Sequence, residues 1–257
     1  MGLRILYGVQ GTGNGHISRS REIIRNLKAD GHDVQVIVSG RKPGLLWEME
    51  VFEPFVALEG LTFSTQRGRL QYVRTARRLN FFRFYADIRR FDARGVDVVI
   101  TDFEPVSARI ARRHRLPSIG VGHQYAFGHR IPIAGFDPAA VYVIRNFAPA
   151  DHCLGLHWHH FGQPILPPVI PAHMPVEPAP APDKILVYLP FEEIADIRRM
   201  LTPFEGHRFY VYHQLPAASD EGHLHLRTYS RQGFLKGLAE ISVNVSLADF
   251  GLVGVAL

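Results

Sequence analysis

The sequence predicts an α/β protein with parallel sheets in two domains, and three observations carry that prediction. An apolar run from Ile5 to Val9 leads into Gly11, Gly13 and Gly15, and a helical pattern and a second apolar run follow at once. Strand, helix and strand in so short a stretch make a βαβ unit, whose right-handed crossover implies parallel strands. The same rhythm restarts at Lys184, after a stretch with prolines at 164, 167, 168, 171, 175, 178, 180 and 182 and little charge. A segment of that composition is an extended connector. The predicted organisation is therefore a first domain over residues 1–162, a linker over 163–183 and a second domain over 184–257.

Taken in order, Ile5 to Val9 is β-branched and aromatic without a break, as a buried strand requires. The three glycines are expected to turn the chain with positive φ. Ile17, Ile23, Ile24 and Leu27 recur at near-helical spacing, predicting a helix that opens just after His16 and stops at Gly31. Asp33 to Ser39 reads as a second strand ended by Gly40, and residues 41–66 offer only short apolar pieces. Over 70–91 a long helical pattern puts Phe81, Phe84, Tyr85, Ile88 and Phe91 on or near one stripe. Val96 to Thr101 is a further strand ending in Asp102-Phe-Glu104-Pro105, and Pro105 suits the first turn of the next helix. Ser118 to Gly122 is a short strand ending at His123-Gln124-Tyr125, followed by a helix over 138–147 and a strand over 151–156. Past the linker come strand 184–189, helix 192–201, strands 208–213 and 223–226, helix 231–238 and a run over 241–247. The small second domain and the apolar stretch after Asp249 predict that this domain is incomplete.

Hydrophobic content of 46% and charged content of 21% describe an ordinary globular protein. Cys153 is the only cysteine, which excludes an internal disulfide and fits a reducing compartment. No secretory signal or membrane-length apolar run is visible, and Leu6 stands where myristoylation needs Ser or Thr, so a cytoplasmic location is predicted. A net charge of +5 suits a nucleotide diphosphate, an anionic membrane or nucleic acid. No RNA- or DNA-binding motif accompanies the charge, so nucleic acid is not expected. Arg67, Arg69, Arg74, Arg77, Arg78, Arg83, Arg89, Arg90 and Arg94 flank the aromatic stripe. They read either as the solvated face of a core helix or as a basic face meeting anionic lipid, which would make the protein peripheral to the membrane.

The glycine loop has neither the spacing of a dinucleotide fingerprint nor the Gly-Lys-Ser/Thr of a Walker loop. A strand feeding such a loop at a helix N-terminus still offers N–H groups to anionic or hydroxyl-rich ligands. In open parallel sheets ligands collect at the carboxyl ends of strands. Three predicted strand ends bring polar groups there: Gly11, Thr12, Gly13, Asn14, Gly15 and His16; Asp102 and Glu104; His123 and Gln124. His16 as general base with Asp102 as its orienting partner is the chemistry this set suggests. No nucleophile has a recognisable context, so the proton would come from a bound hydroxyl. His157, His159 and His160 invite a metal reading, but no Cys, Asp or Glu ligand lies nearby in sequence and no metal is expected.

Ile5-Leu-Tyr-Gly-Val-Gln-Gly-Thr-Gly-Asn-Gly-His16, Val99-Ile-Thr-Asp-Phe-Glu-Pro105, the proline-rich connector, Ile185-Leu-Val-Tyr-Leu-Pro190 and His225 to Leu235 together resemble a GT-B glycosyltransferase family. The resemblance covers roughly 3–240 and is to relatives of the lipid II-forming N-acetylglucosaminyltransferase and of UDP-glucuronosyltransferases. It implies two Rossmann-like domains, a glycan or lipid-linked acceptor on the first and a nucleotide-sugar, most often a UDP-sugar, on the second. The sugar nucleotide is then a co-substrate and no cofactor is needed. By motif position His16 is the implied base and Asp102 its partner. Gly11, Gly13, Asn14 and Gly15 line the acceptor–diphosphate region, His123 and Gln124 flank it, and Tyr229 lies against the nucleotide base. The resemblance further implies inversion at the anomeric carbon. After Ala239 the family pattern continues into a Gly-rich loop and a ribose-binding Glu that residues 240–257 do not show. A non-catalytic acceptor-binding remnant and a UDP-sugar 2-epimerase stay open as alternatives.

Overall fold

The computed structural model describes residues 2–46, 48–62, 65–66, 69–70, 80–132, 138–172, 181–190 and 192–246. The chain forms two compact units, residues 1–62 with 76–170, and residues 63–75 with 171–257. In chain order the elements begin with β1 (Arg4–Gln10), α1 (Asn14–Ala29), β2 (Asp33–Ser39), β3 (Phe55–Leu58) and a short ladder of β4 (Thr65–Gln66) with β5 (Arg69–Leu70). Then come α2 (Phe81–Arg90), β6 (Val98–Asp102), α3 (Pro105–His114), β7 (Ser118–Gly122), α4 (His123–Ala126), α5 (Pro138–Asn146), β8 (His152–Leu156) and β9 (Ile165–Leu166). The second unit continues with β10 (Ala181–Tyr188), α6 (Ile194–Leu201), β11 (Arg208–Tyr212), β12 (Ser219–Glu221), β13 (Leu224–Arg227), α7 (Arg231–Ala239) and β14 (Ile241–Ser246).

The first unit is built on a parallel sheet of seven strands in the order β3-β2-β1-β6-β7-β8-β9. The order reverses between β1 and β6, the point at which doubly wound sheets open a crevice for ligands. In β1, Ile5, Tyr7 and Val9 face one core with Ile24, Val36 and Phe52. Leu6 faces the other, with Val99, Val106, Ile110, Phe84 and Ile88. Burial on both faces is why the strand reads as an unbroken apolar run. Gly8 is required by close approach, since a Cβ there would lie 1.9 Å from Ser107 Oγ on α3.

α3 shows how sequence fixes a boundary. Glu104 caps it by accepting from Val106 N at 2.8 Å and Ser107 N at 2.6 Å, and Pro105 occupies the first turn. Arg112, Arg113 and His114 sit in the last turn, where cations complement the helix dipole, and Arg115 closes it at φ 55°.

The second unit has five strands in the order β12-β13-β11-β10-β14. Four run parallel and β12 pairs antiparallel with β13. Val187, Leu189, Ile197, Phe209, Val211 and Leu226 form one core, and Leu186, Tyr188, Tyr212 and Leu235 the other.

Several sequence expectations shift. α1 opens at Asn14, not after His16, because Gly13 takes the extended N-cap conformation at φ −114°. Gly11, Gly13 and Gly15 are not among the residues with positive φ. Gly11 is instead needed for close approach, as a Cβ would lie 3.0 Å from Ser39 O. The helix expected from residue 70 is described only as α2, with Arg69 and Leu70 in the short ladder and Arg67, Arg74, Arg77 and Arg78 outside the described residues. The segment taken as linker from 163 donates β9, whose Ile165 and Leu166 pair with Gly155 and Leu156. Residues 173–180 of that segment lie outside the described residues. Among the described residues no helix is long and apolar enough to cross a membrane.

Candidate active site at the sheet switch point

β1 and β6 are neighbours, with Val9 opposite Asp102 in the register. The loop after β1 and the last residue of β6 therefore emerge side by side, and His16 Nδ1 lies 2.7 Å from Asp102 Oδ1 although 86 residues separate them. The His16 side chain keeps 13% of its surface exposed and that of Asp102 none. Gln124 Nε2 approaches His16 Nε2 at 3.4 Å, and the His123 ring centroid stands 6.4 Å from that of His16.

Asp102 gathers more partners than the sequence suggests. Arg19 grips it with Nε at 2.8 Å from Oδ2 and Nη2 at 2.5 Å from Oδ1, and Ser20 Oγ donates at 2.7 Å to Oδ2. Burial raises the Asp102 carboxyl, but Arg19 and His16 outweigh it and hold the group down at about 2. The carboxylate is thus an acceptor only, facing the Nδ1 edge of His16. His123 is pushed down to about 3 by burial, with Arg19 and His16 adding to the effect, and stays neutral at physiological pH.

Glu104 does not belong to this set. Its side chain is fully buried, caps α3 and accepts from Ser39 Oγ at 2.6 Å. Burial raises its carboxyl, opposite to Asp102, with Ser39 and the backbone donors pulling the other way. The two carboxylates part because Phe103 between them takes φ 51°, a left-handed conformation uncommon for a bulky residue. Thr101 holds that turn, its Oγ1 accepting from Glu104 N and donating to Glu104 O, each at 2.9 Å.

In the glycine loop the amide of Gly11 donates to Ser39 O at 2.7 Å, so it is already engaged. Thr12 accepts at Oγ1 from Gln10 Nε2, and Arg41 clamps the loop by donating to Thr12 O at 3.0 Å and Asn14 Oδ1 at 2.8 Å. No side chain caps α1 and no acidic residue occupies its first turn, an arrangement that suits an anion at a helix N-terminus. Tyr229 belongs to the second unit, in the loop before α7, half-buried with its ring 6.1 Å from that of Tyr188 and 6.5 Å from that of His213. The Nδ1 atoms of His157, His159 and His160 accept from the backbone amides of His159, Phe161 and Gly162 in a turn after β8.

Sequence reasoning missed Arg19, Ser20, Arg41 and Gly122. Arg19 and Ser20 fall three and four places after His16, the spacing that shares one helix face, and that signal was present. Gly122 adopts φ 149°, and a Cβ there would lie 3.0 Å from Gln124 Oε1 and 3.2 Å from Arg19 Nη2.

Two α/β units built on largely parallel sheets are the architecture of the GT-B glycosyltransferases. The chain belongs to glycosyl transferase family 1, whose family model matches residues 3–257. Solved structures share the fold. A glycotransferase of kitacinnamycin has a TM-score of 0.63 at 16% identity, covering 99% of this chain and 78% of that one. SnogD from Streptomyces nogalater has 0.57 at 15%, covering 100% and 79%. The spinosyn rhamnosyltransferase SpnG, complexed with thymidine diphosphate, has 0.57 at 12%, covering 99% and 78%. No curated protein matches the chain in sequence.

Proposed function

We propose that this glycosyltransferase moves a sugar from a nucleotide-sugar, with UDP the first nucleotide to test, onto an acceptor hydroxyl with inversion, and that His16 is the general base. The observation carrying this reading is the 2.7 Å contact between His16 Nδ1 and the buried, ionised Asp102. The acceptor hydroxyl donates to His16 Nε2 and attacks the anomeric carbon from the face opposite the nucleotide. Its proton passes to Nε2 as the new C–O bond forms and the bond to the nucleoside diphosphate breaks, and Asp102 stabilises the imidazolium. The N-terminal end of α1 supports the negative charge of the leaving diphosphate. Tyr229 is the proposed contact of the nucleotide base in the second unit. Neighbouring folds solved with UDP and with thymidine diphosphate favour a nucleotide-sugar donor.

A lipid-linked acceptor at an anionic membrane surface is the favoured acceptor class, a reading supported by α2, where Phe81, Phe82 and Tyr85 are exposed beside exposed Arg89 and Arg90. The purified chain is tested with UDP- and dTDP-sugars against an acceptor panel. His16→Ala is expected to lower turnover by ~10²–10⁴-fold, with the product anomer read by NMR. Undiminished turnover in that variant removes His16 as base, and retention at the anomeric carbon removes the direct displacement.

A further inference from the structure

We propose that Arg19 is a positioning residue that sets the charge and orientation of the His16–Asp102 pair, an inference that rests on the reading of His16 as base. A bare His–Asp pair presents one negative charge to the imidazole, which favours its protonation. Here the carboxylate is neutralised in advance by a guanidinium whose side chain is only 4% exposed, held by two parallel hydrogen bonds. Arg19 Nη2 also lies 2.7 Å from His16 Nδ1, at the ring edge. An imidazolium formed at His16 is therefore the second cation in a buried group of three, and Arg19 opposes it.

Two other titratable groups that face this centre among the described residues, His123 and Tyr7, bring no charge. His123, at the start of α4, is neutral because it is buried beside Arg19 and His16. Tyr7 of β1 is fully buried and has its hydroxyl pushed up by burial and by Asp102. The balance is thus set by His16, Asp102 and Arg19. Geometry follows the same three: Ser20 and the Arg19 fork fix the plane of the Asp102 carboxylate, and that plane fixes the imidazole. Gly122 leaves the guanidinium room, since a Cβ there would lie 3.2 Å from Arg19 Nη2.

In Arg19→Gln the acid limb of the kcat/KM profile is expected to move up by about one pH unit or more. The pH at which the His16 ring 15N signals change in the ligand-free, full-length protein should move with it. Arg19→Lys keeps the charge but loses the fork, so kcat is expected to fall with KM little changed and with the 15N midpoint where wild type has it. A folded Arg19→Gln protein whose 15N midpoint is unmoved overturns the proposal. Should Arg19→Gln not fold, Arg19→Lys decides alone: an upward midpoint refutes a role through charge, and an unmoved midpoint with reduced kcat supports it. Activity surviving His16→Ala would strike at the base assignment instead, and the 15N titration would still decide the part played by Arg19.

Discussion

Asp102→Asn is the sharpest perturbation of this molecule. The Asp102 side chain is fully buried and that of Arg19 is 4% exposed, so the substitution leaves a guanidinium without a counter-charge in a place water does not reach. Removing one partner of a buried ion pair costs ~3–5 kcal/mol. At ~2–4 °C per kcal/mol for a chain of this size, the first unit should melt ~6–20 °C lower. The cost comes mainly from the stranded cation, so Arg19→Met placed on top of Asp102→Asn should return most of the loss. The assay is a double-mutant cycle by calorimetry, with wild type, both single variants and the pair, and a coupling of ~2 kcal/mol or more is expected. Turnover should not return in the double variant, because His16 still lacks its partner. Additive single effects, to within ~0.5 kcal/mol, would show that the pair is not energetically joined and would refute the reasoning.

Three further outcomes follow from the same geometry. Glu104→Ala removes the α3 cap and strands the Ser39 hydroxyl, so stability should drop by ~1–2 kcal/mol or more in urea titrations while kcat/KM below the transition stays near wild type. Gly122→Ala pushes a methyl toward Arg19 Nη2 and Gln124 Oε1, and kcat at saturating substrate should fall ~10²-fold through a displacement of ~1 Å. Asp102 is held at about 2 against an ordinary 3.8, so its contribution to stability is complete above pH ~4 and is lost as pH falls toward ~2. That contribution is ~2 kcal/mol and should appear as an acid slope in wild-type urea midpoints that Asp102→Asn lacks.

The regular elements were legible because their burial is periodic. β1 and β2 are buried along most of their length and read as apolar runs, and α3 announced itself through Pro105 and the apolar positions behind it. The pairing of His16 with Asp102 followed from strand ends in a parallel sheet. What stayed hidden depended on contacts made across the fold. Nothing local says that Phe103 reverses its φ, so Asp102 and Glu104 looked like a pair offered to the same edge. Helix α1 buries Arg19 and Ser20 against Asp102 and Arg21 against the Phe52 ring, polar positions that an apolar spacing does not reveal. The glycines of the loop suggested reversed dihedrals, whereas the need at Gly11 is clearance from Ser39. β9 and the antiparallel β12 are too short to carry a pattern of their own.

The register of Val9 against Asp102 also bears on how the chain acquires its shape. The imidazole arrives on one crossover and the carboxylate on another, so neither half of the sheet can assemble the pair alone. A folding intermediate in which only the first crossover has docked would hold a histidine and an arginine with no anion between them, and would gain nothing from their proximity. Closure of the central strands is therefore the event that makes this corner favourable, and a probe on His16 would report when β1 and β6 have joined.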